Sequence, residues 1–134
     1  MSTCRKEMNK ELDFVKGMFD RIAPQYDFLN RLLSLRRDTY WRTQMVQAAK
    51  LKKNARILDV ACGTCDVALE ASGELLGQAR ITGLDFSLGM LELGKKKLAH
   101  RGNKTISLVN ADALNLPLKN DLFDAVFIAF GIRN

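Results

Sequence analysis

The stretch RILDVACGTCDVALE, residues 56–70, opens as a short apolar run closing on an acid at Asp59, turns through Gly63, and continues with helical periodicity. That is the pattern of a strand–turn–helix junction, and the turn admits more than one chemistry. Cys62 and Cys65 have the C-x-x-C spacing of a redox dithiol, and a helix N-terminus lowers a thiol pKa. A lone C-x-x-C cannot complete a four-ligand structural zinc site, so no metal is expected. The same turn reads equally as a cofactor cradle. Gly63 lacks the Cβ that would hold a ligand off the backbone N–H groups, and an anionic ligand group can rest near the helix N-terminus. A bare βα connection with no ligand is the third reading.

The neighbouring segments bear on the choice. ARITGLD, residues 79–85, is a second apolar strand ending in an acid, Asp85, 26 residues after Asp59. A carboxylate there can accept two hydrogen bonds from a cis-diol, an arrangement close to the dinucleotide fingerprint. That fingerprint places three glycines where this chain has Ala61, Gly63 and Cys65. A single glycine argues against a pyrophosphate, and so against an NAD-linked oxidoreductase. It suits a smaller nucleoside carrying an amino acid, S-adenosylmethionine.

Further along, residues 87–100 (SLGMLELGKKKLAH) predict a helix with Ser87 as N-cap, residues 105–111 a third strand, and residues 124–131 a fourth. The loop between those strands, residues 112–123, holds at most a short helix. Strands alternating with helices predict an α/β fold with a parallel sheet. Residues 1–54 read as helical. Met8, Leu12, Val15, Phe19 and Ile22 recur at helical spacing until Pro24. Phe28, Leu29, Leu32 and Leu33 share a face of a second helix. A third runs from Asp38 as N-cap through Trp41, Met45, Val46 and Ala49, with Trp41 expected in the core or a pocket wall. The expected division is a helical cap over 1–54 and a sheet domain over 55–134.

Composition narrows the class further. With 134 residues, 47% hydrophobic and 27% charged, the chain is sized for one soluble globular domain. The net charge of +6 serves solubility, and no aromatic-interleaved basic stripe points to nucleic acid. Lys95, Lys96 and Lys97 are expected to face water on their helix. No apolar run reaches the roughly 20 residues of a membrane span, and the N-terminus has no apolar signal core. Three cysteines without a signal fit free thiols in a reducing cytoplasm. The only histidine, His100, lies at a helix end and gives no support to a triad.

Several of these segments resemble a known family. ILDVACGTCD (57–66) resembles motif I of class I S-adenosylmethionine-dependent methyltransferases, ITGLDFSLGML (81–91) their second motif, and NADALNLPL (110–118) their adenine-facing segment. MFDRIAPQYDFLNRLLSLRRDTYW (18–41) and the terminal FGIRN (130–134) narrow this to the ubiquinone/menaquinone biosynthesis C-methyltransferase family. The resemblance implies a Rossmann-like methyltransferase sheet, S-adenosylmethionine as cofactor and a prenylated quinol as substrate. It implies cofactor contacts at Asp59, Ala61, Gly63, Thr64, Asp85, Phe86, Asp112, Ala113 and Ala129. Gly63 and Thr64 would meet the methionine end, Asp85 the ribose, and Asp112 and Ala113 the adenine. Three positions depart from the family pattern: Cys65 replaces a glycine and adds a side chain beside the cofactor turn, Asp38 replaces a histidine, and Ala129 replaces a small polar residue.

The acceptor of that family is a quinol ring carbon, made nucleophilic when a ring hydroxyl ionises. The resemblance implies Arg133 for charge stabilisation, Asn134 for orienting the quinol oxygen, and Tyr26, Asp27 and Asn30 as contributions from the helical cap. A polyprenyl tail implies cytoplasmic protein in peripheral contact with the inner membrane. The class builds a longer sheet than the four strands read here. The implied order, with strands three, two, one and four side by side, leaves strand four as an apolar edge suited to self-association. A truncated, non-catalytic chain that acts by binding a partner is the alternative expectation.

Overall fold

The computed structural model describes residues 9–11, 13–23, 25 and 37–129. Residues 9–11 and 13–23 are helical and are labelled α1. They are followed by α2 (Arg37–Ala48), β1 (Arg56–Val60), α3 (Asp66–Glu74), β2 (Arg80–Asp85), α4 (Leu88–His100), β3 (Ile106–Asn110) and β4 (Ala125–Ile128). The strands form one parallel sheet in the order β3-β2-β1-β4. The α/β reading and the strand order implied by the resemblance both hold.

The strands are short and, in β1 and β2, apolar on both sides, as parallel strands covered on both faces must be. Ile57, Ile81, Ile106 and Phe127 point to one face, where Ala68 and Ala71 of α3 and Leu91 and Leu98 of α4 cover them. α2 adds Val46 to that core, and Thr43 donates to Glu70 of α3 at 2.8 Å. The opposite face carries a smaller cluster of Leu58, Val60 and Leu84, covered by Leu118 and Phe123. These come from residues 111–124, which hold turns and no helix. Asp124 ties that loop back to the sheet: its carboxylate accepts from the Arg56 N–H, and its own N–H donates to the Arg56 carbonyl, both at 2.7 Å.

Register aligns Val60 with Leu84 and Ile128, and Asp85 with Asn110, so the strands end along one edge. The turn at 61–65, the start of α4 and the segment after β3 meet there. Three local expectations change. Trp41 is 62% exposed and stacks edge-on against Tyr40, outside any core, because α2 turns Thr43 and Val46 inward and Trp41 lies on the other side of the helix. α2 begins at Arg37, which puts Asp38 inside the first turn instead of at the N-cap. Lys97 turns inward, where acceptors on α3 and the preceding turn await it, while Lys95 and Lys96 remain exposed. Among the described residues no helix is long and apolar enough to cross a membrane.

Candidate functional site

The turn after β1 explains the three-glycine template. Ala61, Gly63 and Cys65 all have positive φ, at 54°, 55° and 74°. Such left-handed backbone costs a residue with a Cβ about 1–2 kcal/mol, so only Gly63 is at ease. A Cβ built on Gly63 would meet nothing within 4 Å, leaving open space over the turn. The loop is held from below. Cys62 N–H donates to the Leu84 carbonyl at 3.0 Å, Cys65 N–H to the Cys62 carbonyl at 2.9 Å, and Gly63 N–H to Asp85 Oδ2 at 2.8 Å.

Asp85 therefore braces the turn directly. Its Oδ1 accepts from the Ser87 N–H at 2.9 Å. A carboxylate has about four acceptor positions, so about two are left beside these two amides, the number a cis-diol takes. Burial raises the pKa of Asp85, the neighbouring backbone amides oppose that shift, and the nearby charge of Asp20 adds to it. Asp59 lies under the turn and is 1% exposed. Burial pushes its pKa up to about 7, against the Ala68 N–H bond, with the charges of Asp85 and Asp66 adding to the rise. Its Oδ2 has no hydrogen-bond partner. A buried, unpartnered carboxylate oxygen suits a cationic group.

Cys62 and Cys65 are free and buried. A hydrogen bond to Cys65, then burial, pushes the Cys62 thiol far up, the opposite of a reactive dithiol. The Cys65 side chain is 0% exposed and points into the main core, not out beside the turn as expected from its place in sequence. Gly94 of α4 makes room for it: a Cβ there would lie 2.7 Å from the Cys65 sulfur.

The remaining expected residues scatter around this centre. Thr64 is buried, and its hydroxyl accepts from Lys97 Nζ at 2.9 Å; the same amine bonds Asp66 at 2.7 Å. Phe86 and Asp112 line a cavity of about 370 Å³ at the strand-end edge, together with Asn110 and with Asn9, Asp13 and Lys16 of α1. Asp112 Oδ1 also accepts from the Leu114 N–H at 2.9 Å, closing its own turn. Ala113 is exposed and outside that lining, and Ala129 packs against the main core. Tyr26, Asp27, Asn30, Arg133 and Asn134 lie outside the described residues. A larger cavity, about 700 Å³, opens at the opposite edge beside Arg56, Arg80 and Lys104. It contains none of the expected residues, and open parallel sheets bind ligands at the carboxyl ends of their strands, so the smaller cavity is the candidate.

Two contacts had no place in the sequence reading. Asp20 of α1 accepts hydrogen bonds from the Ser87 hydroxyl and, at 3.0 Å, from the Gly89 N–H. Phe19 meets Phe86 edge-on, with ring centroids 6.1 Å apart. The available signal was a polar stripe, Asn9, Asp13, Lys16 and Asp20, at helical spacing beside the apolar one.

Comparison with known proteins agrees with this geometry. The model of the ubiE/COQ5 methyltransferase family matches residues 5–134. The ubiquinone/menaquinone biosynthesis C-methyltransferase UbiE of Geotalea daltonii is 49% identical over 121 residues, covering 90% of this chain and 52% of that protein. The demethylmenaquinone methyltransferase of Staphylococcus haemolyticus is 40% identical over 128 residues, covering 96% of this chain and 53% of that one. The chain thus spans about half the length of the curated relatives it matches. Among solved structures, a SAM dependent methyltransferase from Aquifex aeolicus superposes with a TM-score of 0.60 at 20% identity, over 66% of this chain and 47% of that one, a likeness of fold.

Proposed function

We propose that this chain, which belongs to the ubiE/COQ5 methyltransferase family, binds S-adenosylmethionine at the carboxyl edge of its sheet and contributes to C-methylation of a prenylated quinol. The observation that carries the reading is the meeting of Asp85 and the Gly63 turn, joined at 2.8 Å beneath open space. The surroundings fit the cofactor. The unpartnered Asp59 Oδ2 and the Asp85 carboxylate suit a ligand bearing cationic groups, and the neighbouring cavity of about 370 Å³ is within the usual range for small ligands.

S-adenosylmethionine supplies a methyl group already activated on a sulfonium. The work left to the protein is to position donor and acceptor. Gly63 keeps the approach to the turn clear, Asp85 fixes that turn and offers its remaining acceptor positions to the ribose hydroxyls, and Phe86 and Asp112 wall the adenine side. The family resemblance assigns Arg133 to stabilising the ionised quinol oxygen and Asn134 to orienting it, with Tyr26 and Asp27 as further acceptor-site residues. The quinol tail draws the protein to a bilayer surface.

Calorimetric titration with S-adenosylhomocysteine tests the reading. Saturable binding that Asp85→Ala weakens at least tenfold is expected. No saturable heat at millimolar ligand removes the cofactor assignment. A second reading is a chain that binds the cofactor without turning it over. Binding without methyl transfer to a demethylated quinol selects it.

A further inference from the structure

The proposed function uses α1 only as a wall. The contacts at the far end of that helix say more. Asp20 sits at the N-terminus of α4, a helix of 13 residues, and its Oδ1 takes both the Ser87 hydroxyl and the Gly89 N–H. A carboxylate at that place satisfies an orphan donor and faces the positive end of the helix dipole. Ser87 is 0% exposed and serves three partners: its hydroxyl donates to Asp20 and accepts from the Met90 N–H at 3.3 Å, while its N–H holds Asp85 Oδ1. Gly89 permits the approach, since a Cβ there would lie 3.1–3.3 Å from Asp20 atoms, backbone included.

We propose that Asp20 is a positioning residue that latches α1 onto the Asp85–Ser87 loop, so that docking of the N-terminal helix and binding of the nucleoside cofactor support each other. The path is short and continuous: Asp20 to Ser87, Ser87 to Asp85, Asp85 to Gly63. The Phe19–Phe86 contact runs alongside it. Asn9, Asp13 and Lys16 precede Asp20 at helical spacing on the same face, and they line the cavity that Phe86 and Asp112 close from the sheet side. Releasing Asp20 therefore frees one wall of the cavity and one support of the ribose acid together. This inference rests on the cofactor reading above.

Hydrogen exchange read by mass spectrometry, with and without S-adenosylhomocysteine, tests it alongside calorimetry. Without ligand, Asp20→Ala is expected to speed exchange in residues 13–23 while the sheet stays protected. With ligand, the wild-type chain slows exchange both in the 61–65 turn and in 13–23. In Asp20→Ala the turn still responds, 13–23 does not, and affinity falls about tenfold, as for loss of a charge-assisted hydrogen bond. Asp20→Asn, which keeps an acceptor, recovers part of both effects. Gly89→Ala, which crowds Asp20 while raising helix propensity, weakens binding without lowering the stability of α4. A purely structural role would lower the melting temperature and leave the ligand response of 13–23 intact. Affinity unchanged in Asp20→Ala, with 13–23 still protected, overturns the latch alone. Failure of the wild-type chain to bind S-adenosylhomocysteine overturns the cofactor reading, and the coupling with it.

Discussion

Cys65 shows how one residue can break a local rule and be compensated across the fold. Its φ of 74° belongs to glycine, yet its sulfur fills the space that Gly94 leaves open. The pair should behave as a unit. Gly94→Ala alone drives a Cβ to 2.7 Å from the sulfur, and such overpacking costs about 1–3 kcal/mol. In a Cys65→Gly background the next atoms, those of Thr64, are at 3.5 Å, and alanine gains about 1 kcal/mol of helix propensity. Thermal denaturation of the four chains in this cycle should give a coupling of about 1–3 kcal/mol; additive effects would mean that the sulfur does not lie against Gly94. Asp59 makes a second residue-scale prediction. Its pKa in the fold, about 7, lies above the ordinary 3.8. The native state therefore holds an extra proton between those values, and the stability Asp59 contributes is full below pH 3.8 and lost as pH rises through 7. The loss is on the order of 4 kcal/mol. Asp59→Asn, which stays neutral, should gain stability relative to the wild-type chain as pH rises from about 4 to about 7 and level off above that, and a difference that does not change with pH would refute the shift.

At the scale of elements, what could be read in the sequence depended on how local the cause was. β1, β2, α3 and α4 were legible because strand runs and the Ser87 cap are written in adjacent residues, and Ser87 does accept from the Met90 N–H. The Asp59, Gly63, Asp85 grouping was legible for the same reason: a parallel sheet brings strand ends together once the strands are known. The contacts between elements were not. Asp20 lies 67 residues before Ser87, and a helix read by its apolar stripe does not reveal which polar residue meets a neighbour. Lys97 looked like part of a solvated triplet, but Thr64 and Asp66 lie at the start of the neighbouring helix α3, and the amine crosses to them. Trp41 failed the opposite way. Its size and aromatic character favour burial, and only the packing of α2 on α3 shows that its side of the helix faces out.

Among the described residues the whole sheet is lopsided. One face lies under α3 and α4, while the other carries Leu58, Val60 and Leu84 beneath the 111–124 loop. The asymmetry is greatest at β4, which pairs with β1 on one side and with no strand among the described residues on the other. Val126 and Ile128 sit on the thinly covered face at 55% and 44% exposure. A strand with unpaired backbone groups along one edge and apolar side chains exposed is a template for pairing with another chain. For this chain, we expect another copy. Sedimentation velocity should show mass rising with concentration, and Val126→Lys should shift the distribution to the monomer, since a charge at that register position sits on the exposed face and leaves the pairing with Leu58 intact. The substitution lies on the sheet face opposite Asp59 and Cys65, so affinity for S-adenosylhomocysteine should stay unchanged. A wild-type chain that sediments as a monomer at every concentration would remove the edge as a contact between copies.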